Sequence, residues 1–192
     1  MPRESVVERR TRETEVKVEL SLEPGEVNVD TPIKFLNHMV ETLIFYMGAS
    51  GRVKAIDLRG FDDHHIVEDV AIVLGSALDK ALGDRVGLTR FGWSIVPMDD
   101  ALTLASVDLG GRVYFVFKGS FTRDIVGDMA TEMVPHFIRS LASSLKATIH
   151  VKVMWGENNH HVAESIFKAL GLAIGQAIQV KGSGVPSLKG VL

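Results

Sequence analysis

A short motif that occurs twice constrains this chain more than any other feature of its sequence. It reads GFDDHHIVE at residues 60–68 and GENNHHVAE at residues 156–164, so each position recurs 96 residues later. Both copies contain His-His-x-x-Glu, and both open a long stretch with apolar residues at helical spacing. A recurring motif at one fixed separation indicates an internal repeat, which predicts two structurally similar halves.

The motif is expected to begin a helix in each half. Acidic and amide residues that make good N-caps precede each histidine pair: Asp62, Asp63, Asn158 and Asn159. Residues four apart on a helix share one face, whereas neighbours are turned by about 100°. The first histidine and the glutamate of each motif therefore point one way, and the second histidine points aside. This arrangement favours two metal ions over one.

Each motif has a further histidine upstream, His38 and His136, in a similar apolar helical stretch. If the halves face each other, each ion would take the His-Glu pair of one half and the sideways histidine of the other. The predicted ligand sets are His64, Glu68, His161 and His136 for one ion, and His160, Glu164, His65 and His38 for the second. Such a donor mixture suits Mn, Fe, Zn or Ni better than Ca or Mg.

Bulk composition excludes several classes of protein. The net charge is −3 over 192 residues and the 21 basic residues are dispersed, so we expect no nucleic-acid partner. Cysteine is absent, which excludes disulfides and Cys-ligated zinc. Because no apolar run approaches bilayer length and the start lacks a signal-peptide pattern, we expect no membrane association and a cytoplasmic location.

Alternation and helical periodicity predict the secondary structure between these motifs. We expect residues 1–10 to be frayed or engaged by a partner, and residues 14–22 and 26–31 to form a hairpin. Further strands are predicted at 53–58, 91–98, 101–109, 112–118 and 148–154, and helices at 33–47, 64–82, about 129–145 and 160–179.

This pattern predicts an α+β fold in which each half lays helices on one face of a mixed sheet. The helices of the two halves would pack together between the sheets. We expect the first repeat at residues 1–86, the second at 87–181 and a loop-like tail at 182–192.

Several basic or hydroxyl residues are candidates for binding an anion. Lys168 continues the face of His160 and Glu164 by one turn, where the first half has Ile72. The other candidates lie in glycine-rich or loop segments that let a ligand approach the backbone: Arg90, Arg112, Ser187 and Lys189.

The two histidine motifs resemble the signatures of the imidazoleglycerol-phosphate dehydratase family. Other motifs of that family recur in order across residues 9–192: Arg12-Glu13-Thr14, Arg90-Phe91-Gly92, Val96-Pro97-Met98-Asp99, Asp108-Leu109-Gly110-Gly111-Arg112 and Pro186-Ser187-x-Lys189-Gly190-Val191-Leu192. One departure is that many members have Leu-Asp-His-Met and then Gln, where this chain has Asn37 beside His38 and later Thr42. His150 matches no motif, and we expect it to be a bystander.

The resemblance implies a histidine-biosynthesis enzyme that removes water from imidazole glycerol phosphate to give imidazole acetol phosphate. It implies two Mn²⁺ ions held by the six histidines and two glutamates above, and two similar four-stranded halves. It also implies phosphate binding by the five anion candidates. Family members form 24-subunit cages built from trimers, with active sites between subunits.

The resemblance also suggests which carboxylates transfer protons. Glu13 matches an acidic residue that a neighbouring subunit contributes, and Glu164 is a second candidate. Asp99 is a third. In this chemistry the metals act as Lewis acids that hold the imidazole ring, and the phosphate contacts place the side-chain carbons near the base.

Two other functions fit part of the pattern. A dinuclear phosphate-ester hydrolase also needs two ions and basic groups, and it would release phosphate instead of forming a ketone. A metal-storage or scaffold protein would need ligands but no anion site. Ferritin-like stores place Glu-x-x-His on four long helices, whereas this chain has strand patterns and 18 glycines.

Overall fold

The computed structural model describes residues 3–190. It contains two four-stranded mixed sheets, each with two helices. The elements of the first half are β1 (Glu4–Arg10), β2 (Thr14–Ser21), β3 (Val27–Asp30), α1 (Lys34–Met47), β4 (Ser50–Asp57) and α2 (His64–Leu82). Those of the second are β5 (Phe91–Met98), β6 (Ala101–Asp108), β7 (Tyr114–Lys118), β8 (Ile125–Val126), β9 (Met129–Ala130), α3 (Met133–Leu145), β10 (Thr148–Trp155) and α4 (Asn159–Ala177).

Both large sheets have the same topology, which confirms the predicted α+β fold of two similar halves. Their strand orders are β1-β2-β4-β3 and β5-β6-β10-β7. In each sheet the last pair is parallel and the others are antiparallel. The repeat boundary expected at residue 86 stays a prediction, and residues 191 and 192 of the predicted tail lie outside the described residues.

The predicted hairpin of residues 14–22 and 26–31 is wrong. β2 and β3 are not neighbours because β4 lies between them, antiparallel to β2 and parallel to β3. The connection from β3 to β4 runs through α1, as parallel pairing requires a crossover. Alternation identified both strands but carries no information about which strands pair.

The expectation of a frayed N-terminus is also wrong for the described part of residues 1–10. Residues 4–10 form β1, which pairs with β2 along its whole length. Ser5 is buried, and its hydroxyl donates to the carbonyl of Ala77 at 2.8 Å. The exposed side chains of β1 alternate with the more buried Ser5, Val7 and Arg9, and β1 is an edge strand of its sheet.

Helix α3 begins later than the predicted residue 129, because Met129–Ala130 pairs with Ile125–Val126 as a short ribbon. The predicted helix starts at the two motifs are confirmed. The carboxylate of Asp62 accepts from the backbone N–H of His64 at 3.0 Å, and Asn158 caps His160 in the same way at 2.9 Å.

The helices pair across the halves, α1 with α4 and α2 with α3. Glycines at equivalent repeat positions allow this contact. A Cβ on Gly75 would lie 2.8 Å from the carbonyl oxygen of Leu141, and one on Gly171 would lie 2.7 Å from that of Leu43. The core between the sheets is therefore built from helices of both halves.

Arg85 ties the two halves together beside the predicted boundary. Its buried guanidinium donates to the carbonyls of Leu109 at 2.7 Å and Leu145 at 2.6 Å, and it pairs with Asp79 at 2.5 Å. Leu109 follows β6, Leu145 is the last residue of α3, and Asp79 lies in the last turn of α2. One side chain thus satisfies polar groups from both halves.

We expect Arg85→Met to lower the free energy of unfolding by about 3 kcal/mol, because buried carbonyls and a carboxylate lose their donor. Arg52→Met, on the exposed face of β4, is the matched control and should change it by less than about 0.5 kcal/mol. Denaturant titrations of both variants test this. Equal midpoints for the two variants would contradict the role of Arg85.

Candidate metal centre

The first donor cluster lies where α2 packs on α3. His64 and Glu68 share one face of α2, and His136 reaches them from α3. The Nε2 atom of His136 lies 3.1 Å from Oε1 of Glu68, and the rings of His64 and His136 are 4.5 Å apart at their centroids. One donor atom from each residue falls within 4.8 Å of the others.

The second cluster is its repeat equivalent where α1 packs on α4. His160 and Glu164 share one face of α4, and His38 comes from α1. The Oε2 atom of Glu164 lies 3.3 Å from Nε2 of His160 and 3.7 Å from Nε2 of His38. Both imidazoles are partly exposed, at 44% of the side chain, so an ion can reach them from solvent.

These six residues fit divalent transition metals. Two imidazoles and one carboxylate in each cluster are the donor mixture that such ions prefer. Three protein donors leave open positions in the coordination shell, so each cluster can accept a further ligand. The predicted contribution of both halves to each set is therefore present in the geometry.

The sideways histidines do not join either cluster within one chain. The Nδ1 atom of His65 lies 3.0 Å from Oε2 of Glu13, in the turn between β1 and β2. His161 instead faces the turn between β5 and β6, with Nδ1 2.5 Å from Oδ1 of Asp100 and Nε2 3.4 Å from Asp99. Within one chain, the structure therefore brings together three of the four residues predicted for each ion. The fourth residue of each set stays a prediction, since each sideways ring turns towards its own sheet.

Hydrogen bonding sets the charge of the His161 pair. The hydrogen bond with His161 lowers the pKa of Asp100, and backbone N–H groups of Asn158 and Glu157 lower it further. The same contact with Asp100 raises the pKa of His161. Sequence reasoning missed Asp100, because its position in a turn carries no spacing signal.

Lys168 lies one turn beyond Glu164, as predicted, and its ammonium contacts that carboxylate at 2.9 Å. Burial opposes ionisation of Glu164, but Lys168, together with His38 and His160, lowers the pKa of Glu164. Burial likewise opposes the charge of Lys168, but Glu164 outweighs it and raises the pKa of Lys168. A cavity of about 420 Å³ opens beside this pair, lined also by Thr42 and Tyr46.

The five predicted anion-binding residues do not meet within one chain. Arg90 forms a two-pronged ion pair with Asp108, and its remaining nitrogen donates to the carbonyl of Pro186 at 2.9 Å. Ser187 and the exposed Lys189 follow in the same tail. Arg112 is exposed and lies two residues after Gly110, which packs against the guanidinium of Arg90. The backbone of Arg90 bonds to Ala177 at the end of α4. Lys168 lies roughly 13 Å nearer the start of that helix.

Among the described residues, none of the helices combines the length and apolar character that crossing a bilayer requires. His150 lies on the exposed face of β10, with its ring 6.1 Å from that of Tyr114, and belongs to neither donor cluster.

Comparison with known proteins gives one consistent result. The family model described as imidazoleglycerol-phosphate dehydratase matches residues 31–174. A curated protein of that name from Caldivirga maquilingensis is 91% identical over 192 residues, which cover 100% of both chains. The chain is thus similar to a full-length relative across its whole sequence.

Solved structures agree with this. The crystal structure of IGPD from Pyrococcus furiosus in complex with (S)-C348 matches with a TM-score of 0.82 at 40% identity, over 97% of this chain and 100% of that one. Imidazoleglycerol-phosphate dehydratase from Staphylococcus aureus subsp. aureus N315 matches with a TM-score of 0.83 at 32% identity, over 92% and 100%.

We expect His136→Ala and His38→Ala each to lower bound manganese from about two ions per chain to about one, because each removes one donor of a three-residue cluster. His150→Ala is the control and should bind as the unmodified protein does. Elemental analysis after dialysis against buffered Mn²⁺ measures this. Unchanged stoichiometry in both cluster variants would contradict the assignment.

Proposed function

The chain belongs to the imidazoleglycerol-phosphate dehydratase family of hydro-lyases, and we propose that it eliminates water from imidazole glycerol phosphate using two divalent metal ions. The product would be imidazole acetol phosphate, in histidine biosynthesis. The observation that carries the proposal is the pair of repeat-related His-His-Glu clusters, each built from both halves of the fold.

The sideways histidines suggest that the sites are shared between subunits. His65 and His161 adjoin a cluster residue but turn away from it, so they are available to a cluster on another subunit. In a reciprocal arrangement, the start of α2 in one subunit faces the start of α4 in its neighbour. Each helix then gives its first histidine to its own ion and its second to the neighbour's ion. The two four-residue ligand sets are completed in this way.

Bound ions would act as Lewis acids that hold the imidazole ring of the substrate and favour departure of hydroxide from the adjacent side chain. The chain's own carboxylates would move the protons. Glu13 lies beside His65, so it would approach the same ion as that histidine and take the proton lost from the side chain. Glu164 is a weaker candidate because it also belongs to a donor cluster, and Asp99 stays a third.

The phosphate of the substrate would be held by positive groups from more than one subunit. Lys168 lines the cavity beside the second cluster, within reach of a ligand that contacts the ion there. Arg90, Ser187 and the tail form a separate group, with Arg112 and Lys189 nearby. Assembly would bring these groups to one site. Holding the phosphate there would place the reacting carbons of the substrate near the base. Thr42 lines the same cavity as Lys168, where many relatives have Gln.

We further propose Mn²⁺ as the working metal, a 24-subunit cage of trimers as the assembly and the cytoplasm as the location. The donor chemistry favours a transition metal but does not by itself select manganese. Sites that are shared in this way support a homo-oligomer, because each chain gives a histidine to a neighbouring subunit and receives one in return.

Product analysis separates this reaction from the two alternatives. Incubation of the Mn²⁺-loaded protein with imidazole glycerol phosphate should yield a ketone, with phosphate retained. A dinuclear hydrolase would release inorganic phosphate, and a metal store would leave the substrate unchanged. Full dehydration after exhaustive chelation would also contradict the metal-dependent reaction.

Mixed assemblies test whether sites are shared. We expect His65→Ala and His161→Ala each to be inactive alone, but co-expression should restore about a quarter of the sites, where each subunit supplies the histidine that the other lacks. Purification through two different tags isolates the mixed assemblies for activity measurement.

The matched control combines His64→Ala with His65→Ala, two changes on the same side of the proposed interface. No site in that mixture receives both histidines, so activity should stay absent. Absence of recovery in the first mixture as well would contradict sites that are shared between subunits.

We expect Glu13→Gln to keep both metals and the assembly while turnover falls by roughly 100-fold or more, because a general base contributes about that factor. Its side chain is 45% exposed with a single contact to His65, so Gln can turn aside without disturbing that ring. Steady-state kinetics and metal analysis measure the two effects. Near-normal turnover would remove Glu13 from the mechanism.

A further inference from the structure

Asp100 divides its two carboxylate oxygens between a loop and a histidine. Oδ2 accepts from the backbone N–H groups of Glu157 at 2.6 Å and Asn158 at 2.9 Å, just before α4. Oδ1 contacts Nδ1 of His161 at 2.5 Å. The turn between β5 and β6 is thus connected through one side chain to the start of α4 and to the histidine that this helix turns aside.

The contacted ring nitrogen decides what His161 can do next. A carboxylate accepts a proton but has none to give, so the imidazole in contact with it carries its proton on Nδ1. The neutral ring then has its lone pair on Nε2, the nitrogen available to a metal ion. Carboxylates commonly orient metal-bound histidines in this way. The exposed Asp99, 3.4 Å from Nε2, is the other acidic group near that nitrogen.

The first half repeats this arrangement with a different residue. His65 also presents Nδ1 to a carboxylate from the turn between the first two strands of its sheet, here Glu13 at 3.0 Å. In both sideways histidines the carboxylate thus occupies Nδ1, and the exposed Asp99 at 3.4 Å is the acidic contact of Nε2 in His161. The second half differs because Asp100 also accepts from two backbone N–H groups, whereas the Glu13 side chain is 45% exposed and contacts His65.

We propose that Asp100 is a positioning residue that fixes the tautomer and direction of His161, so that Nε2 of His161 completes the metal site of a neighbouring subunit. This inference rests on the proposed function, because it assumes that His161 is a ligand. Asp100 itself touches neither the ion nor the substrate. Its effect should appear in metal affinity at one of the two sites.

Asp100→Asn separates the two contacts. The amide has only one accepting atom, and the two backbone N–H groups hold it, which leaves the NH₂ group facing His161. That group can only donate, so Nδ1 must accept and the ring proton moves to Nε2. A ring protonated on Nε2 cannot bind the ion there. Asp100→Ala, by contrast, removes both the loop contacts and the histidine contact.

Titration of the full-length assembled protein with Mn²⁺ tests the proposal, with unfolding midpoints of the metal-free protein measured alongside. We expect Asp100→Asn to weaken one of two sites per chain by about 10- to 100-fold, with the midpoint close to that of the unmodified protein. Asp100→Ala should show the same loss of affinity together with a lower midpoint. Asp128→Asn is the control, because Asp128 accepts from Lys34 and Phe35 at the start of α1 and contacts no imidazole. It should keep both affinities.

Two other outcomes would overturn the proposal, each for a different reason. If Asp100→Asn binds two ions as tightly as the unmodified protein and only Asp100→Ala is destabilised, Asp100 serves the loop alone and the proposal is overturned. If the unmodified protein itself fails to bind two ions per chain, the proposed function is overturned and this inference with it.

Discussion

Close contact between helices from opposite halves determines where the donor residues of this protein lie. Each donor cluster takes two residues from the helix that begins at the repeated motif and one histidine from a helix of the other half. Gly75 and Gly171 let these helices approach to a distance that no Cβ would allow. A larger residue at either position would separate the helices and move the upstream histidine away from its His-Glu pair. Packing of the helices in the core therefore sets the geometry of the two donor clusters.

The two halves differ in the residues next to the two donor clusters. Asp69, next to Glu68 of the first cluster, is buried and contacts Arg9 and the hydroxyl of Thr14, which follows Glu13. Its repeat equivalent, Ser165, makes neutral contacts instead, with a threonine of β6 at 2.7 Å and with the carbonyl of Val162 at 2.8 Å. The first half thus fixes a turn that carries a candidate base, whereas the second half has Lys168 near its cluster. The proposed base Glu13 therefore belongs to the first half, and the proposed phosphate contact Lys168 to the second.

The repeat, together with alternation and helical periodicity, was sufficient to predict the fold class and the helix starts at the two motifs. Helical geometry placed the first histidine and the glutamate of each motif on one face, and similar sequence contexts indicated His38 and His136 as their partners. It could not predict that β4 separates β2 from β3, since alternation identifies a strand without its neighbour. Nor could it predict which chain receives the sideways histidines, because spacing does not distinguish contacts within a chain from contacts between copies. Asp100 was missed for a related reason: a turn brings it to His161 from 61 positions away.

We propose that two ions per chain are each held by three residues of one subunit and one histidine of another. Anomalous X-ray diffraction at the manganese edge, from crystals of the Mn²⁺-loaded assembly, can locate these ions. We expect two anomalous peaks per chain, one at each helix contact, with Nε2 of His161 or His65 from a neighbouring subunit as a ligand. A single peak per chain, or two peaks whose protein ligands all come from one subunit, would contradict it.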